Sequence, residues 1–136
     1  MAYTLIDMTT ADIAFKAFGK TLQELFESAA QALTSIMVKG KINQKIEVET
    51  ELHEEETELL LQQFLSEILY YFDGEQIVFA NFKIQTDGKH LIAVMKGEKF
   101  DPKKHKVSMD VKAVTYHKLE VKKTAKGYEC MVVLDI

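Results

Sequence analysis

The sequence predicts one α+β domain over residues 1–136, with two helices packed on one face of a mostly antiparallel sheet of six to eight strands. Two segments carry apolar residues at the three-to-four spacing of amphipathic helices, and most of the remaining chain alternates with the period of two typical of strands. Short turn signals join the strands, which favours antiparallel neighbours. A chain of 136 residues that is 47% apolar is long enough for one core.

The first part of the chain predicts two strands and a helix. Residues 3–6 and 12–18 have strand patterns, and a polar break at residues 7–11 separates them. Thr21, followed three residues later by Glu24, is a capping box that predicts the start of a helix. The apolar stripe of this helix continues until Gly40.

The second part predicts one further helix and several strands. Residues 45–52 alternate apolar and acidic side chains, as in a strand with one wet face. The acidic run at residues 54–56 complements the positive end of the next helix, which closes at residues 73–74. The remaining predicted strands are residues 77–84, 90–96, 111–122 and 128–135.

Composition excludes several classes of function. The 17 basic residues are all lysines against 21 acids, so no guanidinium is present for bidentate phosphate recognition, and a free-standing nucleic-acid binder is disfavoured. Lysine clusters at residues 96–106 and 118–126 are interpreted as solvated faces, with a local basic patch as the alternative.

Cys130 is expected to be a buried hydrophobe rather than a reactive thiol. With no signal peptide or membrane span, we expect a cytoplasmic protein.

Known catalytic motifs are missing from the sequence, which leaves oxygen chemistry as the main candidate. There is no phosphate-binding glycine loop, no HExxH and no GxSxG, and the four histidines lack the spacing of zinc ligands. Hard oxygen donors remain at Asp7, Asp12, Asp101 and Asp135, and a terminal carboxylate at Ile136 would add another. If the last strand pairs near the start of the second, the three carboxylates of Asp12, Asp135 and the Ile136 terminus converge, and Ca²⁺ is the cation that favours such ligands. The alternative is that the penultimate aspartate is simply solvated.

Five stretches of the chain, in order and spread over its whole length, together resemble the archease family. They are YTLIDMTTADI (3–13), FGKTL (18–22), FDP (100–102) followed by His105, VKAVTYH (111–117) and VLDI (133–136).

The resemblance implies both a site and a role. The site is a metal centre formed by Asp12, Asp135 and Ile136, and the role is that of a non-catalytic activator of the RNA ligase of tRNA splicing. Such a protein promotes guanylylation and turnover of the ligase, and RNA is contacted only through that partner. Two alternatives remain: a chaperone or modulator of RNA methyltransferases, and, from a different class, a metal-dependent hydrolase.

One departure from the family signature bears on this site. The signature commonly reads Asp-His-Thr-Ala-Asp, whereas this chain has Met8 and an extra threonine between Asp7 and Asp12. Since methionine neither binds a hard cation nor carries a proton, chemistry at this position is expected to depend on carboxylates. The added residue also predicts a bulge or a wider loop before Asp12.

Four further residues are candidate partner contacts. Asp7 lies in the first signature, and Lys112 in the second, where an ammonium can contact a phosphate or an acidic surface. Tyr116 and His117 follow in the same stretch. The alternatives are that Lys112 is an exposed strand lysine and that Tyr116 and His117 have a structural role.

Overall fold

Two helices and ten short strands make up the described part of the chain. The computed structural model describes residues 2–9 and 11–136, and all of their side chains except those of Ala2, Asp7 and Met8. The helices are α1 (Leu22–Met37) and α2 (Thr57–Tyr70), and α2 continues into a π-helical turn at Tyr71–Glu75. The strands are β1 (Ala2–Met8), β2 (Asp12–Gly19), β3 (Val38–Lys39), β4 (Ile46–His53), β5 (Ile77–Thr86), β6 (His90–Lys99), β7 (Lys106–Val107), β8 (Ala113–Val114), β9 (Glu120–Thr124) and β10 (Gly127–Asp135).

All of the strand pairs are antiparallel, and they form three sheets within the described residues. The five-stranded sheet has the order β1-β2-β10-β8, with β9 also paired to β10. The three-stranded sheet has the order β4-β6-β5, and β3 pairs with β7. The predicted α+β class, with two helices packed against antiparallel sheets in a single domain, is confirmed.

The division into sheets differs from the expected single sheet of six to eight strands. Helix α1 packs against β2 of the five-stranded sheet and against β5 of the three-stranded sheet. Both sheets therefore bury apolar surface against α1. The helix joins them, so the two sheets need no hydrogen bonds between their edge strands. The helix-bridged arrangement is a long-range property that a local alternation pattern does not specify.

The predicted strand at residues 111–122 was wrong, because the structure divides it into β8 and β9. The backbone reverses between them, where the Leu119 N–H donates to the Tyr116 carbonyl at 3.2 Å and Lys118 has a φ of 55°. A non-glycine residue in the left-handed region marks a tight turn. The short strands β3 and β7 were not predicted at all.

The predicted capping box at the start of α1 is present. The Thr21 hydroxyl accepts the Glu24 N–H at 3.1 Å, and the Glu24 carboxylate accepts the Lys20 N–H at 2.7 Å. The carboxylate thus reaches one residue further back than in the standard box, yet two free backbone donors are still satisfied.

The two helices and the sheets share one apolar core. Phe26 of α1 stacks on Phe64 of α2 with ring centroids 6.2 Å apart, and Phe64 meets Phe82 of β5 edge to face at 6.3 Å. Cys130 is 1% exposed, and burial raises its pKa to about 12. A thiol held in its protonated form is a weak nucleophile, so the interpretation of Cys130 as a buried hydrophobe is confirmed.

The buried carboxylate of Glu98, together with His105, anchors the loops that precede β4 and β7. The His105 ring accepts the Asp101 N–H at Nδ1 (2.9 Å), so its proton lies on Nε2, which faces the Lys41 carbonyl at 3.0 Å and Glu98 at 3.1 Å. The Glu98 carboxylate also accepts the Asn43 N–H at 2.8 Å and the Lys104 ammonium at 2.8 Å. These contacts give His105 a structural role.

The Glu98 contacts make stability dependent on pH. The Asn43 N–H and the Lys104 ammonium lower the pKa of Glu98 to about 2 from an ordinary value of 4.5. Its ionised form therefore stabilises the fold above about pH 4.5, and that contribution is lost as the pH falls towards 2. We expect Glu98→Gln to lower the free energy of unfolding at pH 6 and to approach the unmodified protein near pH 2, as measured by urea titration.

The control for that measurement is Glu49→Gln, a change at an exposed position of β4. A difference between Glu98→Gln and the unmodified chain that stays constant from pH 6 to pH 2.5 would contradict the assigned role of the carboxylate.

Gly97 lies where two strands approach too closely for a side chain. A Cβ at this position would overlap the Val78 carbonyl oxygen and lie 2.7 Å from the Phe79 Cα. Both obstacles are close to the strand irregularity between Phe79 and Asn81. We therefore expect Gly97→Ala to reduce the free energy of unfolding by about 1–3 kcal/mol, as is typical of overpacking.

Chemical denaturation of Gly97→Ala beside Gly74→Ala tests this. A Cβ at Gly74 meets nothing within 4 Å, so that variant should retain its stability. Equal stability of the two variants would show that β5 and β6 can separate at no cost.

Candidate functional site: an aspartate pair on the central strands

The two candidate aspartates face each other across the central strand pair. Strand β10 pairs with the whole of β2, from Tyr128 opposite Gly19 to Asp135 opposite Asp12. Residues directly opposite in an antiparallel pair have Cβ atoms about 4.5–5.5 Å apart. The register therefore brings Asp12 and Asp135 together from positions 123 residues apart in the chain.

A threonine organises the loop that leads into Asp12. The Thr9 hydroxyl accepts the N–H groups of Ala11 (3.1 Å) and Asp12 (3.0 Å), and it donates to the Asp12 carboxylate at 3.2 Å. The Thr9 N–H also donates to the Asp12 carbonyl at 2.8 Å. These contacts hold the Asp12 side chain against the loop.

Ile136 and Lys112 lie beside the aspartates at the same end of the β2–β10 strand pair, which is called the aspartate edge below. The Ile136 N–H donates to the Ala11 carbonyl at 3.0 Å, and the Lys112 N–H donates to the Asp135 carbonyl at 2.8 Å. Asp12 and Ile136 are half-buried, whereas Asp135 and Lys112 are exposed. The structure thus brings four of the seven candidate residues to one edge of the five-stranded sheet.

Tyr116 and His117 occupy the turn that follows β8. Tyr116 is 63% exposed and lines a groove of about 400 Å³ beside α2, together with Tyr70 and Gln62. The His117 N–H donates to the Thr115 hydroxyl at 3.2 Å. Neither residue shares the strand register that joins Asp12 to Asp135.

Asp7 and the added threonine are described only in part. The Asp7 backbone pairs with Ala14, and the register shifts by one residue between Leu5 and Asp7, so a bulge precedes the loop. The Asp7 side chain and Thr10 lie outside the described residues. The predicted contact of Asp7 with a partner stays a prediction.

The paired carboxylates have a definite electrostatic character. Like charges directly opposite each other across two strands destabilise the pair. The Thr9 hydroxyl offsets part of this repulsion by donating to Asp12. Among the side chains that the structure describes, which exclude that of Asp7, no group of three or more histidine, cysteine, aspartate or glutamate residues is arranged to hold a metal ion. Two carboxylates are hard oxygen donors, but they need further oxygens to complete a calcium shell.

The hydrogen bonds by which Thr9 organises the loop before Asp12 were not predicted from the sequence. Its position three residues before an aspartate at a strand start is typical of a hydroxyl that caps a turn. The identity of Tyr70 and Gln62 as neighbours of Tyr116 had no signal in the sequence, because helix and turn meet only in the folded chain.

The fold and this edge define a class of small α+β proteins that present an aspartate pair on the two central strands of a sheet. The model of the Archease protein family matches residues 3–136. The chain is 43% identical to Protein archease of Pyrococcus furiosus over 133 residues (93% of this chain, 94% of that protein). It is 39% identical to Protein archease of Archaeoglobus fulgidus over the whole of both chains.

A solved structure has the same fold. The solution structure of Methanobacterium thermoautotrophicum protein 1598 matches with a TM-score of 0.85 and 32% identity, covering 98% of each chain. The chain therefore belongs to the archease family.

Neither helix in the described part of the chain is long and apolar enough to cross a membrane.

Repulsion between the two aspartates gives a direct test of the strand register. In metal-free buffer at low salt, Asp135→Asn should raise the free energy of unfolding by a few tenths of a kcal/mol, since it removes one of two facing charges. Salt should reduce this gain, because exposed charges are screened. Urea titration at low and high salt measures both effects.

The matched control is Asp73→Asn, which changes an exposed aspartate in the π-helical turn. An Asp135→Asn variant that is destabilised at low salt, with Asp73→Asn unchanged, would mean that the Asp135 carboxylate makes a favourable contact instead.

Proposed function

We propose that this protein is a non-catalytic activator of the RNA ligase of tRNA splicing, promoting guanylylation and turnover of the ligase. Membership in the archease family supports the association with the ligase. The observation that carries the proposal is that the strand register places Asp12 opposite Asp135 at the aspartate edge of the five-stranded sheet.

In this proposal the edge holds a divalent cation, most favourably Ca²⁺. The side chains of Asp12 and Asp135 supply hard oxygen donors, and the terminal carboxylate of Ile136 adds a third negative group. The cation would neutralise the facing charges. Water is the further oxygen source, because the Thr9 hydroxyl already accepts the N–H groups of Ala11 and Asp12.

The accessory role agrees with the chemistry of the edge. Asp135 and Lys112 are neighbours in the fold, since the Lys112 N–H donates to the Asp135 carbonyl, and both are exposed where a partner surface can reach them. A ligand that binds one state of a partner more tightly than another shifts the partner towards that state. In the proposal, the acidic edge with its cation favours the nucleotide-loaded state of the ligase, and RNA is met only through the ligase.

Turnover of the cognate ligase tests this proposal. We expect stimulation to fall roughly tenfold or more in Asp12→Ala, in Asp135→Ala and in a chain extended beyond Ile136, as is typical when a metal ligand or its support is removed. Asp73→Ala, at an exposed position away from the edge, should stimulate like the unmodified protein.

The possible results separate the alternatives. Equal stimulation by all four variants would eliminate the aspartate site, whereas no stimulation by the unmodified chain would eliminate the ligase role. Stimulation of an RNA methyltransferase alone favours the modulator alternative, and metal-dependent hydrolysis by the chain alone favours the hydrolase. Calorimetric titration with Ca²⁺ and Mn²⁺ addresses the cation separately, since an absence of metal-dependent heat would reduce the edge to an acidic docking surface.

A further inference from the structure

Two histidines lie in contact at one end of the three-stranded sheet. His53 of β4 and His90 of β6 are direct cross-strand partners, and their ring centroids are 4.4 Å apart with planes tilted by 31°. The side chains are 51% and 69% exposed, so solutes can reach both rings. The pair is on a different sheet from Asp12 and Asp135.

A carboxylate lies beside one nitrogen of each ring. The Asp87 Oδ2 is 3.5 Å from His90 Nδ1, and the Glu55 Oε1 is 3.6 Å from His53 Nε2. Histidines that bind metals commonly donate their second N–H to a carboxylate, which orients the ring and raises its basicity. The arrangement leaves Nε2 of His90 and Nδ1 of His53 as the nitrogens that do not face a carboxylate.

Asp87 is held firmly in this position. Its Oδ1 accepts the N–H groups of Lys89 at 2.9 Å and His90 at 2.8 Å. Glu55 is shared, because the Lys89 ammonium lies 3.8 Å from its other oxygen. Asp87 is therefore the stronger of the two orienting groups.

We propose that His53 and His90 form a binding site for a transition-metal ion of the Zn²⁺, Ni²⁺ or Cu²⁺ class. Imidazole nitrogen suits these ions, whereas Ca²⁺ takes oxygen ligands. Since the described residues contain no cluster of three or more side-chain ligands, the two rings supply the protein ligands and water fills the other positions. On binding, the two imidazole rings rotate out of contact with each other so that one nitrogen of each ring coordinates the same ion.

The choice of ion separates this site from the aspartate edge. An ion that requires neutral imidazole binds at the histidine pair, and an ion that requires several oxygens binds at the aspartates. The two sites therefore use different residues, different sheets and different ligand atoms. Loss of one site should leave ion binding at the other unchanged.

Calorimetric titration of the full chain with Zn²⁺ and Ni²⁺ tests the proposal. We expect His53→Gln and His90→Gln each to weaken binding by at least about tenfold, since each removes one of two ligands. Asp87→Asn retains an oxygen for the turn hydrogen bonds but removes the charge, and we expect a smaller loss. His117→Gln, at an exposed histidine outside the pair, and Asp73→Ala, at an exposed aspartate in the π-helical turn, should bind as the unmodified chain does.

Ni²⁺-induced broadening in ¹H–¹⁵N NMR spectra locates the ion independently of affinity. The proposal requires broadening centred on residues 53 and 90. It is overturned if the chain binds neither ion, if both histidine variants retain full affinity, or if broadening is centred on His117 or on Asp12. All of these substitutions are at exposed or half-buried positions, and far-UV circular dichroism checks that each variant is folded.

Discussion

The pairing of β2 with β10 is the constraint on which the rest of the molecule depends. It joins the first and last parts of the described chain along eight consecutive residue pairs, from Gly19 and Tyr128 to Asp12 and Asp135. Because strand side chains alternate between faces, a slip of one residue would reverse the faces of one strand relative to the other and move Asp12 away from Asp135. Core packing and the aspartate edge therefore require the same register.

Helix α1 carries this constraint to the other half of the fold. It packs against β2 and β5, while Phe26 and Phe64 join it to α2. The buried Glu98 and His105 then anchor the two loops that lead into β4 and β7. The aspartate pair and the histidine pair thus lie on separate sheets that share one core, and each site is positioned by strand register and by short hydrogen bonds in its own turn.

The features predicted well from sequence are those that neighbouring residues decide. Thr21 and Glu24 specify a helix start within four residues, and the apolar stripes of α1 and α2 are equally local. The turn at Lys118 was missed because nothing in a run of alternating residues marks a non-glycine residue with positive φ. The sequence predicts that Asp12 and Asp135 meet only if the last strand pairs with the second. Whether two strands more than a hundred residues apart pair depends on the packing of the whole core, which a local pattern does not contain. The added threonine raised the expectation of a bulge, and the register does shift before the loop.

The central position of β10 has a consequence for synthesis of the protein. Strand β2 leaves the ribosome well before β10, so its edge towards β10 has no partner until residues 128–135 follow. The helices and the β4-β6-β5 sheet can form earlier from segments that are nearer in sequence, because closing a long loop is slow. The aspartate pair is accordingly assembled last, so a chain interrupted before β10 leaves one edge of β2 without hydrogen-bond partners and lacks the aspartate pair altogether.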